Sequence, residues 1–314
     1  MNKGEKILVL GGLGLVGSAI IRELKRLGHT EILAPSQSEL NLLIQSDTLN
    51  YFKEHRPDYV FDAAAKVGGI QANNNYRADF IFENLSIQNN LFEAAFKYET
   101  KKFLFLGSSC IYPKLAPQPI KEEYLLTGEL EPTNEPYAIA KIAGLKMAES
   151  FRRQYGRNFF AVMPTNLYGI NDNYHKENSH VIPGLIARMS ETIKANLPEF
   201  EIWGTGAPRR EFLYVDDLAR ACVFLMTTPK ELPYWINIGT GEDISIKELA
   251  TMIAELMNFK GKLVFNTKYP DGTPRKLLDV SKIKGLGWKP EMNLRDGLKE
   301  SIRFFEENVK TKRQ

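Results

Sequence analysis

Along the first half of the chain, short runs of aliphatic and β-branched residues alternate with longer stretches in which apolar residues recur every three to four positions. Residues 6–10 read as a strand buried on both faces, and 18–27 as a helix with Ile20, Ile21, Leu24 and Leu27 on one side. Residues 31–34, 59–63, 102–106 and 159–163 read as further strands, separated by helical periodicity over 47–54, 79–98 and 137–155. Strands that alternate with helices predict parallel pairing through crossovers. The expected fold is therefore α/β, a Rossmann-type doubly wound parallel sheet with a smaller C-terminal lobe. Past Tyr168 the pattern breaks into loops rich in Asn, Pro and Gly at 169–179, 204–210 and 269–274, interspersed with short helices. The expected division is 1–167 as the sheet domain, with 211–240 returning to it through 211–226 and 235–239, and 168–210 plus 241–314 as the second lobe.

The segment Gly11-Gly12-Leu13-Gly14-Leu15-Val16-Gly17 stands between the first strand and the first helix. It satisfies both GxGxxG and GxxGxxG spacing. Glycine there allows a tight turn and lets backbone approach a pyrophosphate at the positive end of the helix, which makes the first domain a dinucleotide site. An acid closing the second strand would favour NAD and a base NADP. The strand ends in Leu33-Ala34-Pro35-Ser36-Gln37, which offers neither, so NAD(H) and NADP(H) both stay open.

Composition narrows the partners. Of 314 residues, 43% are hydrophobic and 25% charged, with a net charge of +3 spread along the chain, too small to argue for nucleic acid. The basic cluster at 310–313 reads as a frayed end. No apolar run approaches the ~20 residues that span a bilayer, and the N-terminus lacks a signal-peptide layout. The two cysteines, Cys110 and Cys222, suggest neither a disulfide framework nor a metal site, and a reducing cytoplasm is the expected setting.

Tyr137 and Lys141 stand four apart behind Pro136, a residue suited to a helix's first turn, so both project from one face. A cation beside a phenol favours phenolate, bringing its pKa toward working pH and making it a proton donor and acceptor. Tyrosine four before lysine is common by chance, but Ser108-Ser109 closes the fourth strand, at the edge where open α/β sheets bind ligands, and a hydroxyl there can bond a substrate carbonyl. The glycine loop, the serines and the Tyr/Lys pair together resemble the extended branch of the short-chain dehydrogenase/reductases. The blocks 63–70 (AAAKVGGI), 107–113 (GSSCIYP), 131–137 (EPTNEPY), 163–169 (MPTNLYG) and 270–276 (PDGTPRK) are similar to those of the GDP-L-fucose synthase family.

That resemblance implies a reaction: GDP-4-keto-6-deoxy-D-mannose is inverted at carbons 3 and 5, then reduced at carbon 4 with NADPH. It assigns Tyr137 as proton donor to the carbon-4 oxygen, Ser108 as its helper, Lys141 as a further holder of the nicotinamide ribose, and Cys110 and His180 as the groups that exchange protons at the ring carbons. Alone, Cys110 reads more readily as a small buried hydrophobe and His180 as a polar loop or helix-start residue. The resemblance also implies that the glycine loop, Gln37, Ala64, Leu106, Ser108, Lys141, Pro164, Asn166, Leu167 and His180 line the cofactor. Ser109, Asn166, Arg188, Trp203, Arg210, Asp271 and Lys276 would hold the GDP-sugar. It implies no metal and suggests a homodimer. The family's His-Arg pair after the first glycine and its arginine beyond the second strand are replaced here by Gly12-Leu13 and Gln37, which weakens the implied grip on a 2′-phosphate. Reduction of another GDP-4-keto sugar, such as a heptose, with little or no epimerisation is the competing expectation.

Overall fold

A computed structural model describes residues 1–175, 179–269 and 271–310; residues 311–313 of the basic tail and parts of the 169–179 and 269–274 loops lie outside the described residues. In chain order the first half runs β1 (Ile7–Leu10), α1 (Leu15–Arg26), β2 (Ile32–Leu33), α2 (Gln45–His55), β3 (Tyr59–Asp62), α3 (Ile70–Asn75), α4 (Arg77–Lys97), β4 (Lys102–Leu106), α5 (Glu135–Tyr155) and β5 (Asn158–Pro164). The second half runs β6 (Asn166–Tyr168), α6 (Val181–Lys194), β7 (Glu199–Trp203), β8 (Arg209–Tyr214), α7 (Val215–Thr227), β9 (Trp235–Ile238), β10 (Asp243–Ser245), α8 (Ile246–Leu256), β11 (Lys262–Asn266), β12 (Arg275–Lys276), α9 (Ser281–Leu286) and α10 (Leu294–Phe304).

The main sheet has the order β2-β1-β3-β4-β5-β9, every pair parallel. Strand order reverses between β1 and β3, so the connections leaving their carboxyl ends run to opposite faces of the sheet and open a crevice there. β1 and β4 are buried along their whole length, as their unbroken apolar runs require. Helix α5 has Pro136 in its first turn and ends on Gly156 in the left-handed conformation (φ +65°), so sequence signals fix both limits. Phe92 of α4, Phe103 and Phe105 of β4, Phe151 of α5 and Phe159 of β5 form one aromatic stack beneath α5. Phe92, Phe103, Phe105 and Phe159 are fully enclosed, each contributing roughly 1.5–3 kcal/mol, and with the half-buried Phe151 they seat the helix that carries Tyr137 and Lys141.

The second lobe has its own apolar core around Tyr168, Ile186, Phe200, Leu249 and Leu298. At its centre β8 pairs β10 and β12 through its first residues and β6 through its last. β7 and β11 form a separate parallel pair. The 211–240 expectation therefore divides. Residues 211–214 belong to the small sheet, α7 packs against α1 on the main sheet, and β9 is that sheet's sixth strand. The reason is burial: 209–214 has a second-lobe core on one side and the sheet edge on the other, a context that local periodicity does not carry.

Candidate active site

A cavity of about 1450 Å³ runs along the carboxyl edge of the main sheet and across to the second lobe. All of the residues assigned above to catalysis, cofactor or substrate line it.

At one end lies the glycine loop. Gly11 has φ +71°, and its carbonyl accepts from the Gly14 amide at 2.9 Å, closing the turn from which α1 starts. A β-carbon on Gly17 would lie 2.5 Å from the Gly11 carbonyl carbon and 2.8 Å from the Gly12 nitrogen, so close packing of helix on turn requires glycine there. No side chain caps the amino end of α1, leaving its first amides to a ligand. This cradle fits a dinucleotide pyrophosphate. Beyond β2, Gln37 lines the cavity, and Ser36 and Ser38 bond each other at 2.9 Å. The Glu39 carboxylate folds back to accept from the Ser36 amide and hydroxyl, both at 2.7 Å. Sequence reasoning stopped at Gln37 and missed this acid, although Ser36 and Glu39 have capping-box spacing.

The middle of the cavity brings Ser108, Tyr137 and Lys141 together. The Lys141 ammonium donates to the Leu106 carbonyl at 2.7 Å and sits 4.7 Å from the Phe105 ring centre and 5.9 Å from that of Tyr137. Burial pulls it down to about 8, with Asp62 opposing. Burial also pushes the Tyr137 phenol well above the ordinary tyrosine value; nearby Cys110 adds to this and the Ser108 hydrogen bond resists it. The expected lowering of Tyr137 is thus reversed, because withdrawal from water outweighs the Ser108 hydrogen bond that favours the phenolate. Tyr137 is a protonated phenol at neutral pH, the form that a donor needs.

Cys110 lies in a one-turn 3-10 segment, Ser109–Ile111, whose start is held by the Ser108 hydroxyl accepting from the Cys110 amide at 3.2 Å. Its sulfur accepts from the Lys276 ammonium at 3.5 Å. Lys276, assigned above to the nucleotide, thus reaches the thiol in this structure. β12 is pinned from both sides: Lys276 pairs Arg210 of β8, and Leu277 donates to the Gln118 side chain at 2.8 Å. His180 stands immediately before α6, and the surrounding protein, by displacing water, lowers its pKa below the ordinary histidine value. It is therefore neutral at pH 7 and competent to accept a proton.

In the second lobe, the Arg188 guanidinium lies 4.5 Å from the Trp203 ring centre, and Trp203 stacks on Tyr269 at 4.8 Å. Tyr269 was not singled out from the sequence; it becomes a candidate only once β7 and β11 bring the 203 and 269 loops together. Arg210 projects into the cavity while its neighbour Arg209 is occupied by Asp243 at 2.8 Å. Both oxygens of Asp271 accept from Thr205, at 2.9 and 2.6 Å, so this carboxylate first secures the 204–205 turn. The Asn166 amide donates to the Glu211 carbonyl at 2.8 Å and joins the two lobes at the cavity floor. Among the described residues no group of three His, Cys, Asp or Glu could hold a metal ion.

A glycine cradle, a Ser–Tyr–Lys set at the ends of β4 and α5, and arginines facing them from a second lobe are the layout of a nucleotide-dependent oxidoreductase. A model of the NAD dependent epimerase/dehydratase family matches residues 7–239. A putative GDP-L-fucose synthase 2 of Arabidopsis thaliana is 54% identical over 314 residues, 100% of this chain and 95% of that protein. The GDP-L-fucose synthase of Escherichia coli K12 is 51% identical over 97% of each chain. A solved GDP-mannoheptose C4 reductase from Campylobacter jejuni with NADP bound aligns with TM-score 0.89 at 39% identity, covering 98% of this chain and 99% of that one. The chain belongs to the NAD dependent epimerase/dehydratase family and, within it, to the GDP-L-fucose synthases.

Proposed function

We propose that this protein converts GDP-4-keto-6-deoxy-D-mannose to GDP-L-fucose, inverting carbons 3 and 5 and then reducing carbon 4 with NADPH. The observation that carries the reading is one cavity holding a protonated Tyr137, Ser108, Lys141, Cys110 and His180 between a dinucleotide cradle and two arginines. The relatives above 50% identity are named for fucose synthesis, against 39% for the mannoheptose reductase, which favours fucose over a heptose. The NADP of that reductase favours NADP(H) here.

When bound, the reduced nicotinamide supplies hydride to carbon 4. The chain's own residues do the rest. Cys110 and His180 exchange protons with carbons 3 and 5 first, because those hydrogens are acidic only while the carbon-4 carbonyl can hold the enolate charge. Tyr137 then gives its phenolic proton to the carbon-4 oxygen, Ser108 bonds the same oxygen, and the Lys141 cation stabilises the charge left on Tyr137. Arg188 and Arg210 grip the diphosphate, Trp203 with Tyr269 offers an aromatic face to the base, and Ser109, Asn166 and Asp271 border the sugar. Lys276 is a second candidate cation for the diphosphate once substrate displaces it from Cys110.

We place the enzyme in the cytoplasm, where nucleotide sugars and NADPH are available; no described helix is long and apolar enough to cross a membrane. A homodimer through α4 and α5 is supported by Phe82 and Ile139, apolar residues 70% and 40% exposed on those helices. Incubation with GDP-4-keto-6-deoxy-D-mannose and NADPH in D2O tests the reading. The expected product is GDP-L-fucose deuterated at carbons 3 and 5, whereas reduction without deuterium at those carbons overturns the double inversion.

A further inference from the structure

Asp62, the last residue of β3, is 1% exposed, and no motif above includes it. It pairs in register with Leu10 on one side and Phe105 on the other. In-register residues of neighbouring strands present their side chains on the same face, about 4.8 Å apart. The Asp62 carboxylate therefore lies beside the Phe105 ring, over which the Lys141 ammonium stands at 4.7 Å. One carboxylate oxygen accepts from the Ala64 amide at 3.2 Å; the other is sealed from solvent and has no hydrogen-bond partner. A buried carboxylate oxygen left without a donor is costly unless a cation answers it.

The groups around Lys141 leave one acid to do so. From its own helix it faces the neutral Tyr137, and from β4 the Phe105 ring and the Leu106 carbonyl. From α4, the neutral Gln88 donates to the Ala140 carbonyl at 2.9 Å, while Glu83 is paired with Lys66 at 2.5 Å. From β3 comes Asp62. Among the described residues no carboxylate stands within 4.0 Å of the Lys141 nitrogen, so Asp62 acts across a gap in a water-poor interior, where charges are felt at longer range.

We propose that Asp62 is a positioning residue for the carbon-4 reduction, its buried carboxylate keeping Lys141 a cation at the end of β4. This rests on the role of Tyr137 and Lys141 given under Proposed function. Lys141 is pulled down to about 8 by burial, and Asp62 opposes that fall. Asp62 is itself pushed up to about 6 by burial, and Lys141 opposes that rise. Between these values both groups are charged, which is the window in which a cytoplasmic reductase works. The carboxylate takes no proton from substrate; it decides whether Lys141 holds the one it has.

The test is Asp62→Asn, an isosteric change, with Asp62→Leu as the second variant because it leaves no polar atom unpartnered. Losing the carboxylate lets Lys141 shed its proton at lower pH. The alkaline limb of kcat should move acidward by about one unit, giving roughly a threefold loss at pH 7.5 and about a fivefold loss at pH 8, little loss at pH 6, and an unchanged KM for the GDP-sugar. A purely structural role would lower kcat evenly across pH, and superimposable normalised profiles overturn the inference. A second readout needs neither substrate nor cofactor. A lysine whose folded pKa lies below its unfolded value leaves the unfolded chain with more protons, so stability rises with pH between the two values. In the wild type that rise starts near pH 8, and in Asp62→Asn it should start near pH 7. Equal onsets of the rise sink the proposal. Absence of NADPH turnover by the wild type would instead count against the proposed function and leave the stability comparison decisive for Asp62.

Discussion

Replacing Gly17 by alanine should disable the cofactor site with a single methyl group. Its β-carbon would meet the Gly11 carbonyl carbon at 2.5 Å and the Gly12 nitrogen at 2.8 Å, where ordinary carbon contacts lie near 3.5–4.0 Å. Both neighbours are backbone, so no side chain can swing aside, and the turn or the helix must retreat by roughly 1 Å. The Gly14 amide to Gly11 carbonyl bond, 2.9 Å long, sits in the path of that movement. Overpacking of this kind costs ~1–3 kcal/mol of stability. The binding penalty is larger. If two charge-assisted hydrogen bonds from the first turn of α1 to the pyrophosphate are lost, at ~1.5 kcal/mol each, affinity falls by ~3 kcal/mol, or about a hundredfold in Kd. Titration of NADPH fluorescence against protein measures this directly. Gly14→Ala is the internal comparison for folding, since its β-carbon would lie 3.4 Å from the Gly11 oxygen, close to ordinary contact, and its melting temperature should stay near wild type. A Gly17→Ala protein that bound NADPH within threefold of wild type would refute the cradle as drawn.

Tyr137→Phe removes the proton donor and keeps the ring; NADPH oxidation should drop by at least 10³-fold with cofactor affinity within a fewfold, and turnover above a tenth of wild type would remove Tyr137 from its role. Cys110→Ala should abolish solvent deuterium uptake at one or both ring carbons, so unchanged uptake at both would clear the thiol of any part. Because Lys276 donates to the Cys110 sulfur, Lys276→Met should change the rate of iodoacetamide alkylation of Cys110, read by peptide mass; the fully buried Cys222 is shielded from reagent, and an unchanged rate would return Lys276 to a purely nucleotide-binding role. Gln37→Arg should raise the ratio of kcat/KM for NADPH over NADH by about tenfold, and a wild type already strongly selective for NADPH would show that other groups hold the 2′-phosphate.

Local pattern was a good guide wherever one element's surroundings are uniform. β1, β4 and β5 are buried on both faces, and their apolar runs stand within a residue of the observed limits. Helix α5 carries its own start and stop in Pro136 and Gly156. β2 shrinks to Ile32–Leu33 because it is an edge strand, half-buried, with fewer apolar positions demanded of it. Helix α3 was missed because 70–75 is Asn-rich and of low helix propensity; its start is held by the Asn73 side-chain amide, which donates to the Gly68 and Gly69 carbonyls at 2.7 and 3.0 Å. β8 was sent to the wrong sheet because its neighbours, β10, β12 and β6, come from three distant parts of the chain.

The candidate site was legible in its membership but not in its charge states, and the difference has one cause. Motif spacing identifies which side chains arrive at the sheet edge, since the glycine loop, Ser108 and the Tyr137/Lys141 pair each belong to a short segment. A pKa depends instead on how much water the whole fold removes. Four residues of helix suggest a lysine lowering a tyrosine, whereas the structure encloses both, raising the phenol and lowering the ammonium to about 8. The consequence favours the chemistry. A phenol held protonated gives up its proton only when an acceptor as strong as an alkoxide forms on the substrate, so donation is tied to hydride arrival rather than to bulk pH. In the proposed reaction Lys141 would matter most after the proton has left, when its cation faces a new phenolate, and a lysine pulled down to about 8 is poised to pass on a proton as well as to hold one. The carboxylate that keeps it poised, Asp62, lies on neither motif, because its reach to Lys141 depends on the register of β3 with β4.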